Sequence, residues 1–358
     1  MKEKIANIQS FRGVAVLLVL LFHMMLMEKK WGGGNRLLGD FLYVAQSGVD
    51  LFFVISGFIM SAITRDRFQE PAAVMEFAYN RLTRIYPAYW FYSLLLAAVY
   101  CVRPELINPS MGNRVNFIAS FLLLPQETLP LLMVGWTLVY EMYFYFIFAV
   151  LMLAPRRHVS KFMLLWAAFV IVAVLLETPP ATRNMISPHT LLTSPLCIEF
   201  IGGALIANLI LSGFHQWRRT CFAIGGIALI GASFYAWACP GVTIINPMHR
   251  LILFGLPYMA MIYGAVALEQ TNGFLFAAFL RPIGDASYSI YLSHTVVINT
   301  VGWLWYVLAR NSSNLLWLVL MLAASLAAGI ASYQYLEKPL LRFFKKFKPV
   351  YRPYLKQR

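Results

Sequence analysis

Phe11-Arg12-Gly13-Val14-Ala15-Val16-Leu17-Leu18-Val19-Leu20-Leu21-Phe22-His23-Met24-Met25-Leu26-Met27 sets the class of the fold. Between Arg12 and Glu28 the only ionisable side chain is His23. A run of this length and apolarity crosses a bilayer as an α-helix, because the helix satisfies its own backbone hydrogen bonds in hydrocarbon. Nine more stretches share this character, roughly 45–64, 86–102, 135–154, 161–177, 191–211, 220–238, 250–268, 284–308 and 315–336. The last two are the clearest. The expected fold is an all-α integral membrane protein, a bundle of about ten transmembrane helices. Pro87 falls in the first turn of the third stretch, where its missing N–H is tolerated. The short run from Asn116 to Leu124 has too few apolar residues to cross and is expected to be interfacial or re-entrant.

Composition agrees. Of 358 residues, 60% are hydrophobic and 12% charged, against about 45–50% and 25% in a soluble domain. Mean hydropathy is +0.67. The net charge of +14 would suggest nucleic acid in a soluble chain. Here the cations cluster between apolar stretches, so membrane topology accounts for them and no nucleic-acid partner is expected. With the N-terminus cytoplasmic, ten helices put 21 of the 29 Lys and Arg in cytoplasmic segments and 8 outside. Both termini are therefore expected in the cytoplasm. The first stretch is followed by Met27-Glu28-Lys29-Lys30 with no small-residue cleavage site, so it is expected to stay as a signal anchor. Residues 1–340 are read as one membrane domain and 341–358 as a basic cytoplasmic tail. The longest loops, about 65–85 and 103–134, leave no room for a second soluble domain, and no internal repeat is evident. Cys101, Cys197, Cys221 and Cys239 are scattered, so no disulfide framework or metal site is suggested.

Ionisable groups inside a membrane are costly and are functional candidates by default. His23 lies 11 residues beyond Arg12, about 16 Å along a helix. The alternating topology puts Asp50, Glu141 and Glu199 near the outer ends of their helices, at a similar depth. A histidine held by a carboxylate is equipment for a general base: the carboxylate fixes the tautomer, and the free nitrogen takes a proton from a hydroxyl. The competing reading is a structural histidine bonded between helices, with carboxylates at helix ends. His294, in the middle of the ninth stretch, is open to the same two readings. Arg81 and Arg84 share one helical face at i and i+3, at the expected cytoplasmic mouth of the third helix. Paired guanidiniums suit a polyanion such as phosphate; anchoring to lipid headgroups is the alternative, and Arg12 is similar. Ser56-Gly57 allows close helix approach or a cavity wall.

Several of these segments together resemble the acyltransferase 3 family of membrane acyltransferases. They are Phe11-Arg12-Gly13 through His23, Gly48-Val49-Asp50-Leu51-Phe52-Phe53-Val54-Ile55-Ser56-Gly57-Phe58, Arg81-Leu82-Thr83-Arg84-Ile85-Tyr86-Pro87, and Gly135-Trp136-Thr137-Leu138-Val139-Tyr140-Glu141. Ser194-Pro195 through Glu199-Phe200, Ser287-Tyr288-Ser289-Ile290-Tyr291-Leu292-Ser293-His294 and Glu337-Lys338-Pro339 complete the set. The run from Gly48 is most like the branch that O-acetylates bacterial exopolysaccharides. The resemblance implies an acyl-CoA donor, usually acetyl-CoA, and a carbohydrate hydroxyl as acceptor on an exopolysaccharide or lipid-linked glycan. It implies a multi-pass protein of the bacterial cytoplasmic membrane, with transfer completed in the membrane domain. His23 matches the family's essential histidine, and Arg81 and Arg84 its paired arginines. The candidate catalytic residues are His23, Asp50 and Glu141; those for the donor cofactor are Arg81, Arg84, Arg12 and Tyr86; those for the acceptor are Glu199, Trp136 and His294. No metal is expected. A covalent acyl-histidine competes with direct transfer, and a proton-coupled transporter or flippase is the rival function, since buried histidine and carboxylates also make proton relays.

Overall fold

The computed structural model describes residues 5–32, 36–176, 186–239, 247–309 and 313–349. Ten long helices carry most of them: α1 (Ala6–Trp31), α2 (Gly48–Thr64), α3 (Pro71–Val102), α4 (Gly135–Leu153), α5 (Arg156–Leu176), α6 (Leu196–Leu211), α7 (Arg218–Ala238), α8 (Leu256–Asn272), α9 (Ser287–Ala309) and α10 (Asn314–Ser332). Among the described residues, nine helical stretches are long and apolar enough to cross a membrane. The tenth expected span is α9, which is about 35 Å long at 1.5 Å per residue. It carries His294, Asn299 and several hydroxyl side chains, so it is more polar than the rest. The run at Asn116 forms only the six-residue helix Phe117–Leu122. Lys2, Lys4, Arg183, Arg310, Arg352, Lys356 and Arg358, which enter the charge count, lie outside the described residues. Cys101 and Cys239 are unpaired.

Helix α3 departs most from expectation. It starts at Pro71 rather than near residue 86, so Pro87 lies in its interior. Hydropathy hides its first half, because Glu76, Asn80, Arg81 and Arg84 interrupt the apolar pattern. Those residues face protein and a polar cavity instead of lipid. Arg81 and Arg84 consequently stand ten and thirteen residues inside the helix, about 15 and 20 Å from its start. The C-terminus also differs. A π-turn, Tyr333–Glu337, joins α10 to the short helix Lys338–Lys345, so the expected boundary at residue 340 falls within a helix.

Burial separates core helices from rim helices. The apolar windows of the α2 and α8 stretches are 67% and 72% buried, whereas those of α5 and α7 are 17%. Leu165 and Leu175 on α5 and Ile227 and Trp237 on α7 are exposed, as a lipid-facing rim requires. At the centre, α2 and α6 meet backbone to backbone. A Cβ on Gly57 would collide with the Phe200 carbonyl, and one on Gly203 with Val54 and Phe58. Gly57 thus serves close approach, while Ser56 lines a cavity. The start of α1 is fixed by Glu269 of α8, whose two carboxylate oxygens accept from the Ala6 and Asn7 N–H groups at 2.7 and 2.8 Å. A carboxylate there satisfies orphan donors and complements the helix dipole. At the far end of α1, buried Glu28 accepts from Leu37 N, Leu38 N and Asn314 Nδ2 at 2.7–2.9 Å. These two clasps hold the ends of the helix that bears Arg12 and His23.

Candidate active site

A cavity of about 1090 Å³ lies among α1, α2, α3, α4 and α9. It is at the upper end of ordinary ligand cavities. Its walls are apolar along α2 but carry Arg12, Arg81 and Arg84, with Glu141, Ser56, Tyr145 and Tyr288 beside them. The three arginines are not equivalent. Arg84 forms an ion pair with Glu337, which is 1% exposed and also accepts from Ser289 Oγ at 2.5 Å. Its guanidinium lies 5.2 Å from the Tyr288 ring centre. Arg84 is therefore committed to an internal pair. Arg81 and Arg12 have no carboxylate within ion-pair distance among the described residues. Arg81 lies 5.8 Å from the Tyr145 ring centre and its Nε has no partner; Arg12 donates to Gln9 Oε1 at 3.1 Å. These two cations thus make no direct ion pair among the described residues and face the cavity. Glu141, on the same wall, accepts from the Tyr145 hydroxyl and from Ser56 Oγ.

The cavity reaches Tyr291 and Thr137, whose hydroxyls lie 2.7 Å apart. The Tyr291 ring is 5.7 Å from that of His294, which in turn lies 4.9 Å from the ring of His23. His294 is fully buried and His23 half-buried. Hydrogen bonding fixes both tautomers. His294 Nδ1 lies 2.7 Å from the Tyr291 carbonyl and 3.2 Å from that of Ile290. A carbonyl can only accept, so this nitrogen carries the proton and His294 Nε2 presents a lone pair. His23 Nδ1 lies 2.9 Å from the Val19 carbonyl and 3.3 Å from His294 Nε2. Both are acceptors, so His23 Nδ1 donates to them. In neutral His23 the lone pair is then on Nε2. The pair therefore has the polarity of a general base and its orienter, with a carbonyl and an imidazole where a serine protease uses a carboxylate.

The four groups expected at one depth are not brought together. Asp50 is fully buried and bound by Arg250 Nη2 at 2.5 Å, not by His23. Glu199, 1% exposed, belongs to the same cluster: Asp50 and Arg250 are its charged neighbours. Depth along a helix is legible in sequence, but the direction a side chain takes around the helix depends on packing. Tyr86 does not line the cavity. Its hydroxyl donates to the Leu122 carbonyl, and Tyr89 and Trp90 donate to Ser120 and Phe121, so this face of α3 docks the short helix Phe117–Leu122. Trp136 packs edge-on against Tyr140, 6.2 Å between ring centres, and also lies off the cavity. Three residues outside the candidate list matter to the geometry. Arg250 balances Asp50, Glu337 balances Arg84, and Tyr291 links the cavity to the histidines. Glu337 carries a signal, as the one acidic residue between Asn314 and Lys345; a buried carboxylate needs a cation. Nothing local marks Arg250 or Tyr291.

A family model described as an acyltransferase domain matches residues 5–334. The chain is similar to the exopolysaccharide production protein ExoZ of Rhizobium meliloti strain 1021, at 33% identity over 319 residues, covering 85% of this chain and 92% of that protein. It is similar to the acyltransferase MdmB of Streptomyces mycarofaciens, at 24% identity, covering 97% of this chain and 94% of that one. It is also similar to the O-acetyltransferase OatA of Staphylococcus aureus, at 24% identity over 95% of this chain but 58% of that protein. The chain thus spans little more than half of OatA. No solved structure matches it.

Proposed function

Because the chain belongs to the acyltransferase 3 family of membrane acyltransferases, we propose that it moves an acyl group, in the first instance acetyl, from acyl-CoA to a carbohydrate hydroxyl. The observation that carries this reading is the histidine pair: both Nδ1 atoms donate to carbonyl oxygens, which leaves His23 Nε2 unprotonated on a half-buried side chain. His23 Nε2 takes the proton of the acceptor hydroxyl as its oxygen bonds to the acyl carbon. The proton then passes to the departing thiolate. His294 is the positioning residue, holding the His23 ring through its Nε2 lone pair. It also accepts part of the charge when His23 is protonated. A general base of this kind contributes about 10²–10⁴-fold to rate.

The donor's phosphates fit Arg12 and Arg81, two cavity-lining cations without a direct ion pair among the described residues, with Arg84 and Glu337 keeping that wall in shape. The thioester end would approach the histidines past Tyr291. Glu141 is one of the carboxylates on the cavity wall, with Asp66 and Asp285, and its role is to hold Tyr145 and Ser56 against the substrate. Asp50 and Glu199 act with Arg250 as internal support. The acceptor class rests on the names of the relatives, one for exopolysaccharide production and one for O-acetyl transfer. The setting that follows is the bacterial cytoplasmic membrane, with both termini and the donor on the cytoplasmic side.

The test is transfer of labelled acetyl from acetyl-CoA to surface glycan in membranes carrying the wild-type chain or His23→Ala. Loss of transfer with retained acetyl-CoA binding is expected. Full activity in a folded His23→Ala protein overturns the mechanism. Sequential kinetics support direct transfer, whereas ping-pong kinetics assign a covalent acyl-enzyme.

A further inference from the structure

A second cavity, of about 190 Å³, adjoins the first, and Arg67 and Arg81 line both. Its walls come from three separate parts of the chain. Arg67 follows α2, Glu76, Asn80 and Arg81 lie on α3, and Lys348 arrives after the helix Lys338–Lys345. Among the described residues, three cations and one carboxylate line this pocket. Glu76 is 5% exposed, and a single oxygen, Oε1, accepts from Arg67 Nη1 at 2.9 Å and from Lys348 Nζ at 3.0 Å. The Arg81 Nε, at the junction of the two cavities, has no partner. The C-terminal segment is tied down a second time, since the Tyr79 hydroxyl donates to the Phe344 carbonyl at 2.8 Å.

Cations gathered against protein are retained only where an anion offsets them. Glu76 supplies one negative charge and draws two of the cations together. Arg81, whose Nε has no partner, stands beside them, and this set of donors matches a phosphate, which takes guanidinium and ammonium donors. We propose that this side pocket is a phosphate subsite for the phosphomonoester at the nucleotide end of the acyl donor. Arg67 and Arg81 form its fixed wall, and Lys348 is delivered by the C-terminal segment. This deepens the reading of the donor given above and rests on it. It also makes residues 338–348 part of the donor site rather than a free tail.

The experiment uses the full chain in nanodiscs of neutral lipid, with acetyl-CoA and its 3′-dephospho form as donors. The wild type is expected to favour the phosphorylated donor in KM by about tenfold or more, with kcat alike. Lys348→Gln and Arg67→Gln are expected to lose most of that preference by weakening only the phosphorylated donor. Lys348 is part-exposed and lies outside the long helices, so its variant keeps the fold even if the arginine variant does not. A wild type that uses both donors equally overturns the subsite while leaving acetyl-CoA as donor; so does a folded Lys348→Gln protein that keeps the full preference. Activity that instead depends on added phosphatidylglycerol through Lys348, with no preference between the donors, assigns the pocket to a lipid headgroup and overturns the proposal. Binding of neither donor to the wild type overturns the donor reading and the subsite together.

Discussion

His23 and His294 are 271 residues apart in sequence and 3.3 Å apart in space. His23 can be singled out in the sequence, because it interrupts an otherwise uncharged run. Its partner cannot: two helices must pack before the contact exists. The carboxylates that seemed natural partners are occupied elsewhere, Asp50 by Arg250 and Glu141 by Tyr145 and Ser56. His294→Ala should lower kcat by about 10²-fold through misplacement of the base, with little change in KM for the donor. His294→Gln, whose side-chain oxygen can accept from His23 Nδ1, should recover part of that loss. A KM effect without a kcat effect would assign His294 to the acceptor instead. The arginines make a second contrast. Arg81→Gln removes an unpaired cation, so donor affinity should fall about tenfold or more with thermal stability unchanged. Arg84→Gln strands the buried Glu337 charge, which should cost roughly 3–5 kcal/mol. Arg84→Gln with Glu337→Gln should regain most of that stability, as measured by thermal unfolding in detergent.

At the scale of elements, the bounds that sequence misjudged are those where a helix turns a polar face to protein. Helix α3 looked short because Glu76, Asn80, Arg81 and Arg84 break its apolar run, yet each finds a polar surrounding in the bundle or its cavity. Pro87 was acceptable at a helix start and is instead interior, with the Tyr288 hydroxyl donating to the Ile85 carbonyl two residues before it. The Ser56-Gly57 break was legible as a site of close approach, and the α2–α6 contact shows why. There the two backbones touch, so no side chain can rotate out of the way. Gly57→Leu should therefore cost at least about 3 kcal/mol. Size-exclusion profiles of a fluorescent fusion should show loss of the monodisperse species. A well-folded Gly57→Leu protein would mean that the two helices can separate.

At the scale of the whole molecule, the distribution of cations implies an orientation that side-chain labelling can check. Cysteines replacing Ile63 and Gln270, which line the large cavity, should react with an impermeant maleimide only from the cytoplasmic side, in a background without exposed Cys101. Acetyl-CoA should protect them. A cysteine replacing Glu105, beyond the far end of α3, should react only from outside. Reactivity of the cavity positions from outside would invert the assigned direction of donor approach. By itself the sequence determined that the chain is a helical membrane bundle, where its spans lie to within a turn or two except for the first half of α3, and which ionisable groups had to be accounted for. Hydropathy and charge act locally, residue by residue along each helix, so they are written in the order of the chain. Only the tertiary structure decided which of those groups meet. It paired His23 with His294, gave Asp50 to Arg250 and Glu337 to Arg84, and left Arg12 and Arg81 facing a cavity with no carboxylate in ion-pair reach among the described residues. The physical reason is that each helix's rotation about its own axis is set by close packing against its neighbours, at contacts such as Gly57 on Phe200, and no single stretch of sequence contains both sides of such a contact.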